Sequence, residues 1–272
     1  MCQVPDNFVT SDLVNHLHCG KPKYQVPPNL GDQKSWGRAR FMVVFEHGDL
    51  NTAAHCLAQD MHEPFSQFPI ACVAVEESIR DDFIERLRHR FFQVKPHVAT
   101  HPKFERSLNE LKYGGIDYLV APIENAPPNA SPILVTDNIT QLFFGSSPSG
   151  VVTLHTFETI KDISDAITNE TPPFDAIYLF DESVTSVYSL GARVSVNQFF
   201  VNCTGACLMP ILPFYGLHKT HAMLHNGMHY ETIVLGGQMK IIVFPYASSI
   251  LRRCCCKHGS CVCNPNEMLC CE

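Results

Sequence analysis

The chain has 272 residues, of which 45% are hydrophobic and 17% charged, and it carries a net charge of −7. That composition suits one large or two small globular domains of α/β class. It argues against a nucleic-acid partner, since no Lys/Arg-rich run offsets the negative charge, and its longest apolar runs are strand-length, too short to cross a bilayer as a helix.

The opening residues, MCQVPDNFVTSD, lack a basic stretch followed by an apolar core. They therefore do not read as a secretory signal. A reducing, cytoplasmic compartment is expected, with the sequons at Asn129, Asn138, Asn169 and Asn202 idle. Residues 1–38 read as a polar, Pro-containing extension and linker, with one short helix capped by Ser11 or Asp12. Residues 39–246 read as the folded domain, and 247–272 as a disordered Cys-rich tail.

In chain order, residues 40–46 (RFMVVFE) form the first predicted strand, and His47-Gly48-Asp49 a turn. A helix capped by Asn51 or Thr52 follows. Residues 70–75 make a second strand. Residues 77–91 make an amphipathic helix with Ile79, Phe83, Ile84, Leu87 and Phe91 on one face. Residues 96–115 read as helix with loops, and 116–121 and 131–136 as strand segments. A strand at 151–157 leads into a helix at 159–168. Residues 176–180 (AIYLF) are a continuous apolar run, as in a strand buried on both faces. A helix capped by Asp181 or Ser183 and ended by Gly191 connects it to a strand at 194–202. That strand-helix-strand unit implies parallel pairing.

Several segments resemble the catalytic domain of aldehyde dehydrogenases. FMVVFEHGDLNTAAHCLA is similar to that family's strand, x-x-A-D, helix. ACVAVEESIRDDFIERLRHRF is similar to its strand and V-x-E-S-I-x-D-E-F-hydrophobic-E-R-L. SPILVTD is similar to its P-T-hydrophobic-hydrophobic-T-D. The AIYLF strand with Asp181 after it resembles the family's strand and F-x-x-D, and the next strand ends F-V-N-C at Phe200-Val201-Asn202-Cys203. Pro213-Phe214-Tyr215-Gly216 resembles the P-F-G-G turn, and residues 239–244 the closing strand. The likeness spans about residues 41–244, the catalytic half only. It is nearest to a DUF1487-like insect family of truncated aldehyde-dehydrogenase-like domains, some linked with the male germ line. It implies an α/β domain with a mostly parallel twisted sheet flanked by helices. A cofactor-binding half normally precedes it, and the polar residues before the domain are too few for a βαβαβ unit.

The resemblance also says where the chemistry should sit. A cysteine thiolate attacks the aldehyde, and the adduct gives hydride to nicotinamide. The nucleophile position falls at Gln67, in PFSQFPIAC, so Cys72 and Cys203 are the remaining thiol candidates. Cys72 is expected to be a buried strand residue and Cys203, with Cys207, a buried inert thiol. The general base position, in KSWGRARF, falls at Ser35, which has no useful basicity at neutral pH. The glutamate that holds the nicotinamide ribose falls at Ser147, in FFGSSPSGVV. The expected reading is thus an inactive module acting in binding or structure, with no cofactor. The alternatives are residual NAD(P)-dependent aldehyde oxidation and a metal-binding or membrane-tethered protein acting through its tail.

Two further patterns stand out. His218, His221, His225 and His229 would form one stripe on a helix, at spacing close to that of metal ligands. The tail concentrates Cys254, Cys255, Cys256, Cys261, Cys263, Cys270 and Cys271, which suit zinc or copper(I), acylation to a membrane beside Arg252 and Arg253, or oxidative crosslinking. The strand opened by Met239 and closed by Phe244 (MKIIVF) is apolar enough to suggest a homo-oligomer built through it.

Overall fold

The computed structural model describes residues 38–121, 130–215 and 220–246. The extension before residue 38 and the cysteine-rich tail lie outside them. The helices are α1 (Leu50–Met61), α2 (Arg80–Arg88), α3 (Pro96–Ala99), α4 (Pro102–Gly114), α5 (Ile160–Asn169) and α6 (Thr185–Gly191). The strands are β1 (Ala39–Val44), β2 (Ile70–Glu76), β3 (Tyr118–Leu119), β4 (Leu134–Val135), β5 (Val152–Phe157), β6 (Phe174–Phe180), β7 (Gln198–Val201), β8 (His221–His225), β9 (Met228–Leu235) and β10 (Gln238–Pro245). They make one ten-stranded sheet in the order β3-β4-β5-β2-β1-β6-β7-β10-β9-β8. From β4 to β10 the neighbours are parallel, and antiparallel pairs close both ends.

The centre of the sheet is apolar on both faces, which is why its strands read as continuous runs rather than alternating ones. Met42, Val44, Val73, Val75, Tyr178 and Phe180 pack under α1 and α2 through Ala54, Leu57, Phe83 and Leu87. Phe41, Val43, Ala74, Ile177, Leu179 and Phe199 pack under α5 and α6 through Ile163, Ile167, Val187 and Leu190. Each fully buried side chain of this size contributes roughly 1.5–3 kcal/mol of transfer free energy. A smaller cluster under α4 joins Phe104, Leu108 and Leu111 to Ile133 and Val135.

Between β1 and β2 the register slips. Arg40 pairs with Ile70, but Phe41 pairs with Cys72, so Ala71 is an extra residue on its strand. Such a bulge breaks the strict two-residue alternation. Ala71 and Cys72 consequently both belong to the layer under α5, and Val73 returns to the layer under α1.

Local chemistry differs from the expected caps in two places. Asp49, not Asn51 or Thr52, caps α1: the N–H groups of both those residues donate to Asp49 Oδ1, at 3.0 and 3.1 Å. α6 starts one residue later than a Ser183 cap would set it, with Val184 at the cap position. Ser183 Oγ still accepts from Thr185 N–H at 3.2 Å, and Ser186 Oγ–H donates to Asp181. Gly48 has no room for a side chain, since a Cβ there would lie 2.4 Å from the Phe180 carbonyl oxygen.

The histidine stripe does not form. His221 and His225 lie on β8 and His229 on β9, joined by Asn226 (φ 48°) and Gly227 (φ 73°) in a two-residue hairpin. Positive φ at both central residues is the geometry that matches strand twist, and Asn-Gly adopts it readily. His229 pairs with Leu224, so it faces away from His221 and His225. Its ring stacks on Phe244, while His221 stacks on Phe214. His218 lies outside the described residues.

β10 is hydrogen-bonded on both sides within the chain, to β7 and to β9. Lys240 anchors this junction: it is fully buried, and its Nζ donates to the Val194 and Val196 carbonyls at 2.7 and 2.8 Å. The apolar run that suggested an external partner is therefore satisfied internally. Among the described residues, β8 lies at one margin of the sheet, and no helix is long and apolar enough to cross a membrane.

Candidate functional site

In a parallel sheet all strands start at one margin, so the segments leading into β2 and β5 share an edge. Gln67 lies in the segment before β2, exposed, and Ser147 in the segment before β5, half-buried. Ser35 is outside the described residues. Cys203 follows the far end of β7, and therefore sits at the opposite margin from Gln67. The strand order thus separates the V-N-C segment from the expected nucleophile position.

At the Gln67 margin Arg40 and Asp60 occupy the layer beneath α1. The Arg40 guanidinium lies over the Tyr178 and Phe68 rings, 5.1 and 5.2 Å from their centroids. Asp60, on α1, accepts the Ile70 N–H at 2.6 Å. Burial pushes its carboxyl up to about 6, against the opposing effects of that hydrogen bond and of the Arg40 charge.

At the other margin Asn202 adopts a left-handed backbone, φ 52°. Its side chain accounts for the strain: Nδ2 donates to the Asp181 carbonyl at 2.6 Å, and Oδ1 accepts the Asp181 N–H at 3.1 Å. The asparagine of V-N-C here ties the end of β7 to the end of β6. The Cys203 thiol donates to the Val243 carbonyl at 3.7 Å, and burial, with the neighbouring Cys56, pushes it up to about 12. Burial raises Cys56 as well, with the Thr204 hydroxyl 3.8 Å away.

The densest reactive cluster among the described residues lies between these margins, under α5. Cys72 on β2, His155 on β5 and Glu170 at the end of α5 bring Sγ, a ring nitrogen and a carboxylate oxygen within 4.8 Å of one another. His155 Nε2 is 2.6 Å from Glu170 Oε1. Gln141 N–H donates to Glu170 Oε2 at 2.8 Å, and the Thr153 hydroxyl is 3.5 Å from Oε1. Phe41 stacks parallel to the His155 ring, centroids 6.3 Å apart. Gln141 also spans the gap to β2 and β5, its Nε2 donating to the Ala71 and Val151 carbonyls. The bulge residue Ala71 therefore helps hold the platform from which Cys72 faces His155.

Cys72 is 0% exposed. Burial raises its thiol well above the usual cysteine range, and the adjacent Glu170 carboxylate raises it further. Both effects disfavour the thiolate, which is the attacking form of a cysteine. Sequence reasoning named Cys72 but missed its partners. The available signals were a histidine inside the apolar run VVTLHTF and a glutamate at the end of a helix, neither of which points to the other. The seven tail cysteines named as metal ligands lie outside the described residues.

Away from this cluster, a shallow cleft of about 270 Å³ is lined by Gln59, His62, Glu63, Phe92, Gln93 and Lys95. His62 is stacked on Phe92 at 3.6 Å and accepts the Phe92 N–H at 3.1 Å, which accounts for it structurally.

No curated protein matches the chain. Among solved structures it is similar to an NAD-dependent benzaldehyde dehydrogenase from Corynebacterium glutamicum, with 11% identity and a TM-score of 0.49 over 65% of this chain and 42% of that one. It is also similar to an NADP-dependent enzyme from Escherichia coli, with 16% identity and a TM-score of 0.48 over 63% and 39%. A lactaldehyde dehydrogenase from Escherichia coli gives 13% identity and 0.47 over 61% and 39%. The chain thus spans about two fifths of the length of these proteins. The family described as "Protein of unknown function (DUF1487)" matches residues 35–250, well over half of the sequence, and the chain belongs to that family.

Proposed function

We propose that the chain is a catalytically inactive aldehyde-dehydrogenase-like module acting in binding or structure. The observation that carries this reading is the condition of the thiols. The position aligned with the nucleophile is Gln67, and the two alternative thiols, Cys72 and Cys203, are both raised by burial away from the thiolate form. Covalent aldehyde chemistry begins with a thiolate, so neither is prepared for it.

Nicotinamide dinucleotide tests the reading. At millimolar NAD the melting temperature of the full chain stays unchanged and no aldehyde-dependent reduction occurs. A rise in melting temperature would signal binding to the native state. Turnover that disappears in Cys72→Ser or Cys203→Ser would support the runner-up, residual NAD(P)-dependent aldehyde oxidation.

Self-association through residues 239–244 belongs to the same proposal. Because both edges of β10 are filled, it requires exchange of β10 between copies or side-chain contacts, and a monomer at micromolar concentration overturns it. The proposals of tail-bound zinc or copper(I), tail acylation and a germ-line role rest on sequence resemblance and on the tail cysteines. Metal or lipid that persists after replacement of those cysteines would remove the tail from consideration.

A further inference from the structure

We propose that Cys72, His155 and Glu170 form a binding site for one zinc ion, with Cys72 Sγ, His155 Nε2 and Glu170 Oε1 as its ligands. The inference is independent of aldehyde chemistry and of the tail. It starts from convergence: two adjacent strands and a helix end deliver a sulfur, a nitrogen and an oxygen to one point, all within 4.8 Å of one another. Mixed S, N and O donors at that spacing suit Zn²⁺, which accepts all three in a tetrahedral set.

The surroundings favour a cation there. Cys72, His155 and Glu170 are all buried, and their ligand atoms lie within 4.8 Å of one another. A doubly charged cation suits that set, because thiolate, carboxylate, neutral imidazole and Zn²⁺ sum to zero charge. Binding displaces the thiol proton, so affinity rises with pH. Opposite this face, the corresponding carboxylate Asp60 has the Arg40 guanidinium as a neighbouring cation.

The ligands are also oriented before any ion arrives. Gln141 N–H occupies Glu170 Oε2, which leaves Oε1 turned toward His155. The Phe41 ring lies nearly parallel to the imidazole, 12° off, with centroids 6.3 Å apart. Cys72 faces this layer by the regular alternation it shares with Ala74, and the bulge residue Ala71 beside it is held by Gln141 Nε2 at 2.8 Å. Outer contacts of this kind are what fix ligand geometry in metal sites. The fourth position falls to a water or to the Thr153 hydroxyl.

The test uses the full chain with its seven tail cysteines replaced by serine, loaded with zinc alone and desalted. About one equivalent of zinc per chain is expected by elemental analysis, falling to none when Cys72→Ser or Glu170→Gln is added. Chelation should lower the melting temperature of the parent and leave that of the Cys72→Ser variant unchanged. A parent without zinc, or folded variants that keep it, would overturn the assignment. Should both variants fail to fold, cobalt decides in the parent itself. A thiolate-to-cobalt charge-transfer band with tetrahedral visible absorption supports the site, and cobalt without a thiolate band refutes it.

Discussion

Two polar clusters, one half-buried and one buried, lie on opposite faces of the same central strands. Under α1, Asp60 is accompanied by Arg40, whose guanidinium rests on Tyr178 and Phe68. Under α5, Glu170 is accompanied by Cys72 and His155. The first carries its own permanent cation, and the second carries a set of metal ligands. The difference shows two settings for a carboxylate on one sheet: near a resident charge, or in a site shaped for a charge from outside.

The largest expected effect separates the faces most sharply. Glu170→Ala removes the acceptor of Gln141 N–H and the partner of His155 in a buried setting. Each buried donor left without its acceptor costs about 1–3 kcal/mol, readable in urea unfolding. A loss below about 1 kcal/mol would mean that the cluster is not a structural unit.

Asp60→Asn probes the other face with the opposite sign. Because the folded-state pKa is raised to about 6 from the ordinary 3.8, the folded state holds more protons than the unfolded state between those values. Stability therefore falls as pH climbs through that window, and the contribution present at low pH is lost above about 6. The substitution abolishes that slope while leaving a side-chain oxygen that can still accept the Ile70 N–H. A gain on the order of 1–3 kcal/mol at pH 8 follows from about 1.4 kcal/mol per pKa unit. A variant that is less stable at pH 8 would show that the nearby Arg40 charge outweighs the burial cost.

Thiol labelling ranks the cysteines. In native protein at pH 8, Cys207 and Cys56 are alkylated before Cys203, and Cys72 reacts only on unfolding, as read by peptide mapping. Rapid labelling of Cys72 would contradict its burial. The smallest effect belongs to the distal hairpin: Gly227→Ala forces a side chain into φ 73° and costs about 1 kcal/mol. Its consequences should stay confined to β8 and β9, without altering either cluster.

Much of the frame was readable from the residues. Strands 40–46, 70–75, 151–157 and 176–180 announced themselves because a strand covered on both faces must be apolar at every position. The crossover from β6 through α6 to β7 followed from one helical period between two such runs. The histidine stripe misled because a four-residue spacing serves a helix and a strand face alike, while the deciding signal was the two-residue Asn226-Gly227 turn between its members.

What the amino-acid order determined was the succession of elements and which of them are buried, since hydrophobic periodicity is a local property. It also carried the resemblance by which Ser35 and Gln67 are read at the base and thiol positions. Only the tertiary structure decided that Ala71 shares a face with Cys72, because the extra residue there breaks the alternation at the start of the strand. Only the sheet order brought His155 beside Cys72 and carried Glu170 to them from the end of α5. Such convergence depends on pairing between distant strands, and no stretch of sequence encodes that by itself.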